Sequence, residues 1–204
     1  MGYTHYYYMP KEILNDHWYG ELVMSDGSIP MMHRQVDIII SEFISRYNTY
    51  VQAHPDTLAK VEVMELHTDT RTVSVSLDDE QKEIDSGLIV PNRTRYTFIH
   101  FNGIGDNAHE SFTFPPKIDI RASLHLPPTE SKYEFEFCKT ANKPYDQCVT
   151  AFLLIAKQHL KDYIILKSDG MPEDWIKGND MAGYNDINGM TNMLTADFDR
   201  EVEQ

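Results

Sequence analysis

Apolar residues recur every three or four positions in two stretches of the chain, which is the spacing of amphipathic helices. The first stretch runs from Arg34 to Ala53 and ends before His54-Pro55, because the residue before a proline disfavours helical backbone. Its apolar positions are Val36, Ile40, Phe43, Ile44, Tyr47 and Val51. The second stretch follows Pro144, which suits a first helical turn, and carries Val149, Phe152, Leu153, Ala156 and Leu160. The pattern therefore predicts two principal helices.

Apolar and polar residues alternate elsewhere, which is the pattern of half-buried strands. The predicted strands are Thr4 to Met9, a hairpin over Val61 to Leu77, Arg95 to Phe101, Glu110 to Phe114, Tyr133 to Phe137, and Tyr163 to Leu166. A turn at Asn102-Gly103 ends the Arg95 strand, since glycine tolerates positive φ there. We expect these strands to share one sheet that contains the Tyr-rich first strand.

The order of these elements predicts the fold class and the domain organisation. A mainly antiparallel sheet packed against two principal helices is an α+β fold. The 204 residues contain no internal repeat and no low-complexity linker, so we expect a single domain over residues 1–204. Within it, residues 58–90 include a β-hairpin elaboration. Residues 179–204 form a C-terminal extension and a candidate contact with a partner subunit, which would make the protein a homo-oligomer.

The charge of the chain narrows the choice of partners. Its 32 acidic and 18 basic residues give a formal net charge of −14, which repels phosphate backbones and disfavours nucleic-acid binding. A small anionic ligand stays open, because a few lysines in a pocket can override the mean field. The sequence has no membrane-spanning apolar stretch and no signal peptide pattern, so we expect a cytoplasmic protein with no membrane partner. Cys138 and Cys148 lack zinc-site spacing and are predicted to be buried free thiols.

Four groups of motifs carry a resemblance to a known family. They are Met1-Gly2-Tyr3-Thr4-His5-Tyr6; Phe101-Asn102-Gly103 with His109-Glu110-Ser111-Phe112; Phe137-Cys138-Lys139-Thr140 with Lys143-Pro144-Tyr145-Asp146; and Ser168-Asp169-Gly170 with Asp174-Trp175. In this order they resemble the family of phage and bacterial proteins that open with MGYTHY. The resemblance implies a viral or prophage setting. The family has no assigned function, so it implies no activity and no residue roles.

The start of the second helix is a candidate anion site. A helix beginning at Pro144 would leave free N–H groups at Tyr145 and Asp146, and Lys139 and Lys143 come directly before them. The unsatisfied donors, the helix dipole and two ammonium groups would all favour a phosphate or carboxylate. We also expect this helix end to meet Asn102, His109 and Glu110 in one polar pocket.

The aspartates at positions 146, 169 and 174 can also be explained without a ligand. Asp146 can simply occupy the first helical turn and interact with the dipole, with Thr140 or Asn142 capping the helix. Likewise Asp169 can belong to a turn and Asp174 can cap the following helix, although both could also line a pocket.

Histidines are the candidate acid–base residues. In a strand from Thr4, His5 and Tyr3 share a face, and His5 is either a general acid or base or a hydrogen-bonded structural residue. His109 and Glu110 are adjacent in a predicted strand, so their side chains face opposite sides and are poorly placed to share a metal. His109 and Glu110 remain acid–base candidates, and the sequence predicts no metal site.

Three functions remain open after these arguments. The leading hypothesis is a small-molecule-binding protein of phage type that captures a nucleotide-derived signal of host defence, without a cofactor. The second is an enzyme that acts on a nucleotide-like substrate by acid–base chemistry, and the third is an acidic protein that binds another protein, either as an inhibitor or as a mimic of nucleic acid. The predicted ligand-binding residues are Tyr3, His5, Asn102, His109, Lys139, Thr140, Lys143, Tyr145, Asp146 and Asp169.

Overall fold

The computed structural model describes residues 3–19, 31–68, 72–73, 95–117 and 131–202. Its strands are β1 (Thr4–Pro10), β2 (Val61–Thr68), β3 (Thr72–Val73), β4 (Tyr96–Gly103), β5 (Phe112–Phe114), β6 (Tyr133–Lys139) and β7 (Ile165–Ser168). Its helices are α1 (Lys11–Tyr19), α2 (Met31–Ala53), α3 (Asp146–Leu160), α4 (Ile176–Met181) and α5 (Ile187–Asp199). The mixture of helices and antiparallel strands confirms the predicted α+β class.

The described strands form two antiparallel sheets, whereas the sequence predicts one. The first sheet has the order β6-β1-β7, so the Tyr-rich strand β1 lies at its centre. The second has the order β3-β2-β4-β5. Tyr7 connects the two sheets, because its hydroxyl donates a hydrogen bond to the carbonyl of Thr113 in β5. Because β1 and β4 belong to different sheets, the strands beside His5 are the sheet neighbours of β1, which are β6 and β7.

The two principal helices occupy the core, as their periodicity predicts. Helix α3 is buried along most of its length, and Phe152 on it contacts aromatic rings from α2, β4 and β5. The partner rings are those of Phe43, Phe101 and Phe112. Removal of this apolar surface from water drives the packing. None of the helices in the described residues is long and apolar enough to span a membrane.

The turn after β4 lies later in the chain than predicted. Asn102 and Gly103 belong to β4, and the chain turns at Gly105, whose φ is +55°. Gly103 serves a different purpose, because a Cβ there would overlap the carbonyl of Asn107. The residues His109 and Glu110 precede β5 and are not part of a strand, so the predicted alternation of their side chains does not apply.

The predicted hairpin and short strand are found with shifted boundaries. Strands β2 and β3 pair antiparallel, with Leu66 opposite Val73, and the remainder of the predicted hairpin and elaboration lies outside the described residues. The predicted Tyr163 strand begins two residues later, because residues Lys161–Tyr163 form a 3-10 turn. Both cysteines are buried and free, as predicted.

The C-terminal extension packs on its own chain, and its predicted contact with a partner subunit stays a prediction. Lys157 on α3 forms a buried ion pair with Asp197 on α5 at 2.7 Å. The same carboxylate accepts a hydrogen bond from the backbone N–H of Leu166 on β7. These contacts and the fully buried Leu194 attach α5 to the domain. The predicted homo-oligomer stays a prediction.

Candidate functional site

His5 is the centre of a buried polar network that joins three elements. It lies in β1 directly opposite Ser168 of β7, and it has no solvent exposure. Its Nε2 atom is 2.7 Å from Oδ1 of Asp146, the first residue of α3, and its Nδ1 atom is 3.1 Å from Oγ of Ser168. A carboxylate only accepts, so Nε2 carries the proton that faces Asp146, and the Ser168 hydroxyl lies between Nδ1 of His5 and, at 3.5 Å, the carbonyl of Thr4.

Two aromatic rings enclose the imidazole. The ring of Tyr3 lies 5.0 Å from that of His5, and the ring of Trp175 lies 4.9 Å from it, both in edge-to-face orientation. Trp175 is fully buried. These rings exclude water and oppose rotation of the imidazole, so His5 interacts only with its protein neighbours.

Asp146 has one fixed carboxylate oxygen and one open oxygen. Oδ1 accepts hydrogen bonds from His5 and from the hydroxyl of the buried Thr140. Oδ2 makes no hydrogen bond with the described residues, and the side chain keeps 11% of its exposure on the wall of a cleft. Asp146 is therefore the member of the network that a ligand can reach.

A tight turn explains why Thr140 meets Asp146. Ala141 and Asn142 have positive φ values of 51° and 53°, so the chain reverses sharply before α3. The backbone N–H of Thr140 is bound to the carbonyl of Tyr3 at 2.9 Å, which anchors the turn to β1. Thr140 thus bonds to a carboxylate across the turn, and the predicted helix cap by Thr140 was wrong.

The cleft beside Asp146 has a volume of about 750 Å³ and is lined mainly by residues before and within α3 and around α4. Its charged lining residues are Lys143, Asp146, Glu173, Asp174 and Lys177. Leu58, 64% exposed, and Ile176 add apolar surface, and the ring of Tyr3 forms part of the wall. We call this feature the Asp146 cleft. It offers acceptors, cations and apolar contacts to one small molecule.

One of the two donors predicted for the anion site at the helix start, the N–H of Asp146, is already used, and the anion site itself stays a prediction. The N–H of Asp146 is bound to the carbonyl of Lys143 at 2.9 Å, and the N–H of Gln147 points to the carbonyl of Pro144 at 3.4 Å. Tyr145 is buried, and its hydroxyl donates to the carbonyl of Glu110 at 2.6 Å. Of these residues, Lys143 and Asp146 still face the Asp146 cleft, whereas Tyr145 does not.

Asn102, His109, Glu110 and Lys139 form a structural contact and do not line the Asp146 cleft. The side chain of Asn102 binds the backbone N–H and carbonyl of His109 at 3.2 and 3.0 Å. Nδ1 of His109 is 2.7 Å from the carbonyl of Lys139, whose N–H donates to the Glu110 carboxylate at 3.0 Å. The helix start does approach these residues, and a separate polar pocket formed by them stays a prediction.

The two aspartates after β7 have different roles. Asp169 accepts a hydrogen bond from Tyr6 at 3.1 Å and is not a cleft residue. Asp174 accepts the backbone N–H of Met171 at 2.8 Å, as predicted for a capping residue, and also lines the Asp146 cleft. The sequence therefore indicated correctly that Asp174 is a capping residue, and only the structure shows that it also lines the Asp146 cleft.

Sequence reasoning missed Ser168, Trp175 and Lys177 as site residues. Ser168 and Trp175 belong to the segments that carry the family resemblance, but spacing alone gave no reason to place them at His5. The glycine at position 170 allows Tyr3 to approach, because a Cβ there would overlap the Tyr3 hydroxyl. Burial and the nearby carboxylates of Asp146 and Asp174 raise the pKa of Tyr3 above its ordinary value, so the phenol stays protonated.

The Ser168–His5–Asp146 chain contains the residue types of a hydrolytic triad, but its geometry indicates a positioning role. Ser168 does not line the Asp146 cleft, and its oxygen accepts the N–H of Gly170 at 3.0 Å. A nucleophilic serine needs contact with the substrate. Here the carboxylate faces the cleft, and the histidine and serine lie behind it.

Two other buried histidines lie outside the Asp146 cleft. The rings of His17 and His33 are 4.6 Å apart, and Nε2 of His17 is 2.8 Å from the carbonyl of Thr97. Burial and the neighbouring His33 lower the pKa of His17 to about 4, so this imidazole is neutral near pH 7. In the part of the chain that the structure describes, no three His, Cys, Asp or Glu residues are grouped as metal ligands.

Comparison of the chain with models of protein families, with curated proteins and with solved structures finds no match. These comparisons do not test the resemblance to the MGYTHY family, which stays a prediction. The function must therefore be argued from the Asp146 cleft itself.

Proposed function

We propose that the chain binds a small polar molecule with an anionic group in the Asp146 cleft, and that nucleotides are the first ligand class to test. The observation that carries the proposal is Asp146 itself, with one carboxylate oxygen fixed by His5 and Thr140 and the other facing the cleft. A site built to bind a ligand presents polar groups whose orientation is fixed in advance.

Two of the five charged residues of the cleft lining, both lysines, support an anionic group on the ligand. Lys143 and Lys177 both line it, and Lys143 is oriented by a hydrogen bond of 2.9 Å from Nζ to the carbonyl of Asp106. Its partner is a carbonyl, and Lys143 forms no ion pair with the carboxylates of the described residues. Ammonium groups of this kind bind phosphates and carboxylates.

The size and apolar surface of the cleft support a ligand with a ring. A volume of about 750 Å³ falls within the roughly 300 to 1,000 Å³ of small-molecule sites. Leu58 and Ile176 are exposed large apolar side chains on its lining, and such contacts suit the face of a base. A nucleotide combines the ring, hydroxyl groups and anionic group that these residues favour.

The experiment measures the melting temperature of the purified protein with linear and cyclic nucleotides and with ADP-ribose derivatives. A true ligand raises the melting temperature by mass action, and the shift shrinks in Lys143→Ala and Lys177→Ala. The control is Lys161→Ala, an exposed lysine just beyond the C-terminal end of α3, roughly 22 Å along the helix from Asp146. Equal shifts in all three variants, or no shift with any ligand, would contradict the proposal.

A second candidate is an acid–base enzyme that uses the same cleft. The open Oδ2 atom of Asp146 favours it, because a general base must reach the proton that it removes. His5 was the predicted acid or base, but it is fully buried and both of its nitrogens have protein partners. Mass spectrometry of each ligand after incubation separates the candidates: recovery unchanged supports binding, and a changed mass that Asp146→Asn abolishes supports catalysis.

The remaining hypothesis, an acidic protein that mimics nucleic acid, anticipates a surface without a pocket. The Asp146 cleft is not explained by it. Capture of a host defence signal by a phage protein depends on the family resemblance and is the biological use that we propose for the binding activity.

A further inference from the structure

We propose that Oδ2 of Asp146 accepts a hydrogen bond from a hydroxyl of the ligand, so that the ligand class is a phosphorylated sugar or ribonucleotide. The inference rests on the proposed function and adds the orientation of the ligand to it. The sugar lies against Asp146, and the phosphate lies toward Lys143 and Lys177.

The first argument is the unequal use of the two carboxylate oxygens. His5 and Thr140 both donate to Oδ1, whereas Oδ2 has no hydrogen-bond donor among the described residues. The Asp146 side chain is 11% exposed, and Oδ2 is not among the buried side-chain oxygens that lack a partner, so it is reachable from the cleft. A ligand with a donor group at this point would satisfy Oδ2.

The second argument is that Asp146 is poorly able to turn Oδ2 toward another protein group. His5 is held by Ser168 on its far side and by the rings of Tyr3 and Trp175. Thr140 is tied to β1 through the carbonyl of Tyr3. The acceptor is therefore fixed in position before any ligand arrives, as specific recognition of a donor requires.

The third argument concerns the type of donor. The two cations of the lining, Lys143 and Lys177, suit a phosphate, and a hydroxyl on the neighbouring sugar donates to Asp146 without adding charge to the ligand. Asp174, another carboxylate of the lining, is already bound to the N–H of Met171. Sugar hydroxyls supply such donors next to a phosphate.

The test uses ligands that differ by one hydroxyl. We would measure the dissociation constants of AMP, 2′-deoxy-AMP, 3′-deoxy-AMP and ribose 5-phosphate with the wild-type protein by calorimetry. A hydrogen bond to a carboxylate predicts that loss of the correct hydroxyl weakens binding about tenfold or more. The wild-type comparison does not depend on any variant folding.

The matched variants are Asp146→Asn and Glu173→Gln, the second being an exposed carboxylate of the same cleft. Asparagine keeps an oxygen for His5 and Thr140 but presents an amide donor to the cleft, so the preference for the hydroxyl should disappear. Glu173→Gln should keep that preference. A preserved preference in Asp146→Asn would overturn the inference, as would equal binding of all analogues to the wild-type protein.

Failure of this inference differs from failure of the proposed function. Phosphate-containing probes that bind in a Lys143-dependent way without any hydroxyl preference overturn only the inference about Asp146. A diamine such as putrescine that binds more tightly than every phosphorylated probe overturns both. Absence of binding by the probes and by the whole nucleotide panel also overturns both.

Discussion

The two faces of β1 show how one run of similar residues serves two purposes. His5 and Tyr7 point inward, are fully buried, and make polar contacts with Asp146, Ser168 and Thr113. Tyr6 and Tyr8 point to the opposite face and are only partly buried. The difference shows that the environment of a side chain, rather than its residue type, determines whether it carries a site.

The outer face carries a row of aromatic rings in mutual contact. Phe135 and Phe137 of β6 are 46% and 43% exposed, and Phe135 contacts the rings of Tyr6 and Tyr8 at 6.1 and 5.3 Å. Exposed contacts of this kind are worth less than buried ones, because less apolar surface leaves water. We therefore expect substitutions on the inner face to have larger effects.

The largest effect should come from His5→Leu compared with Tyr6→Leu. Loss of His5 leaves the mostly buried Asp146 carboxylate without its main donor, which should lower the free energy of unfolding by about 3 kcal/mol or more. Tyr6→Leu, one residue along the same strand, should lower it by less than about 1 kcal/mol. Urea unfolding measures both values. Similar losses in the two variants would show that the faces do not differ as described.

A smaller effect should separate Tyr7→Phe from Tyr8→Phe, in which the chemical change is the same. The Tyr7 hydroxyl donates to the carbonyl of Thr113 between the two sheets, and its removal leaves a buried acceptor unsatisfied. We expect a loss of about 1 to 2 kcal/mol for Tyr7→Phe and less than about 0.5 kcal/mol for Tyr8→Phe. Thermal unfolding provides the comparison, and a larger loss for Tyr8→Phe would contradict it.

The smallest effect concerns Glu136, which lies opposite Tyr7 on the inner side of β6. Burial raises the pKa of this carboxyl above its ordinary value of 4.5, so the folded protein holds the proton more tightly than the unfolded chain. Stability from this group is therefore gained as pH falls through the folded-state pKa and is absent at neutral pH.

Glu136→Gln should accordingly stabilise the protein at pH 7 by less than about 1 kcal/mol, and its advantage should shrink as the pH falls. Glutamine keeps an oxygen for the N–H of Phe137, which Glu136 binds at 3.1 Å. The exposed Glu62 provides the control, since Glu62→Gln should change little at either pH. Denaturant unfolding at both pH values measures the difference, and destabilisation by Glu136→Gln at pH 7 would refute the assignment.

Much of the secondary structure and one part of the site could be predicted from local pattern. The periodicity of α2 and α3 and the alternation in β1 reflect short-range geometry, so their positions are close to those expected. The same alternation predicts that Tyr3 and His5 share a face, and their rings are 5.0 Å apart. The aspartate at the start of α3 was also recognised, although its predicted role at the helix dipole was incomplete.

The partners of His5 could not be predicted, because they depend on contacts between distant parts of the chain. Asp146 lies 141 positions from His5 and Ser168 lies 163 positions from it. They meet because β7 pairs with β1 while the turn at residues 141–142 directs α3 back to the same face. Several alternative strand orders are compatible with the same local patterns.

By itself the sequence determined the two principal helices, the approximate positions of most described strands, the α+β class, the buried free thiols and the acidic net charge, because these follow from local periodicity and composition. Only the tertiary structure decided the division into two sheets, the removal of Tyr145 and His109 from the candidate site, and the exposure of one Asp146 oxygen to a cleft. The physical reason is that hydrogen-bond partners and solvent access depend on which residues pack together in the fold. Local sequence patterns do not predict the packing of β1 against β7 and α3.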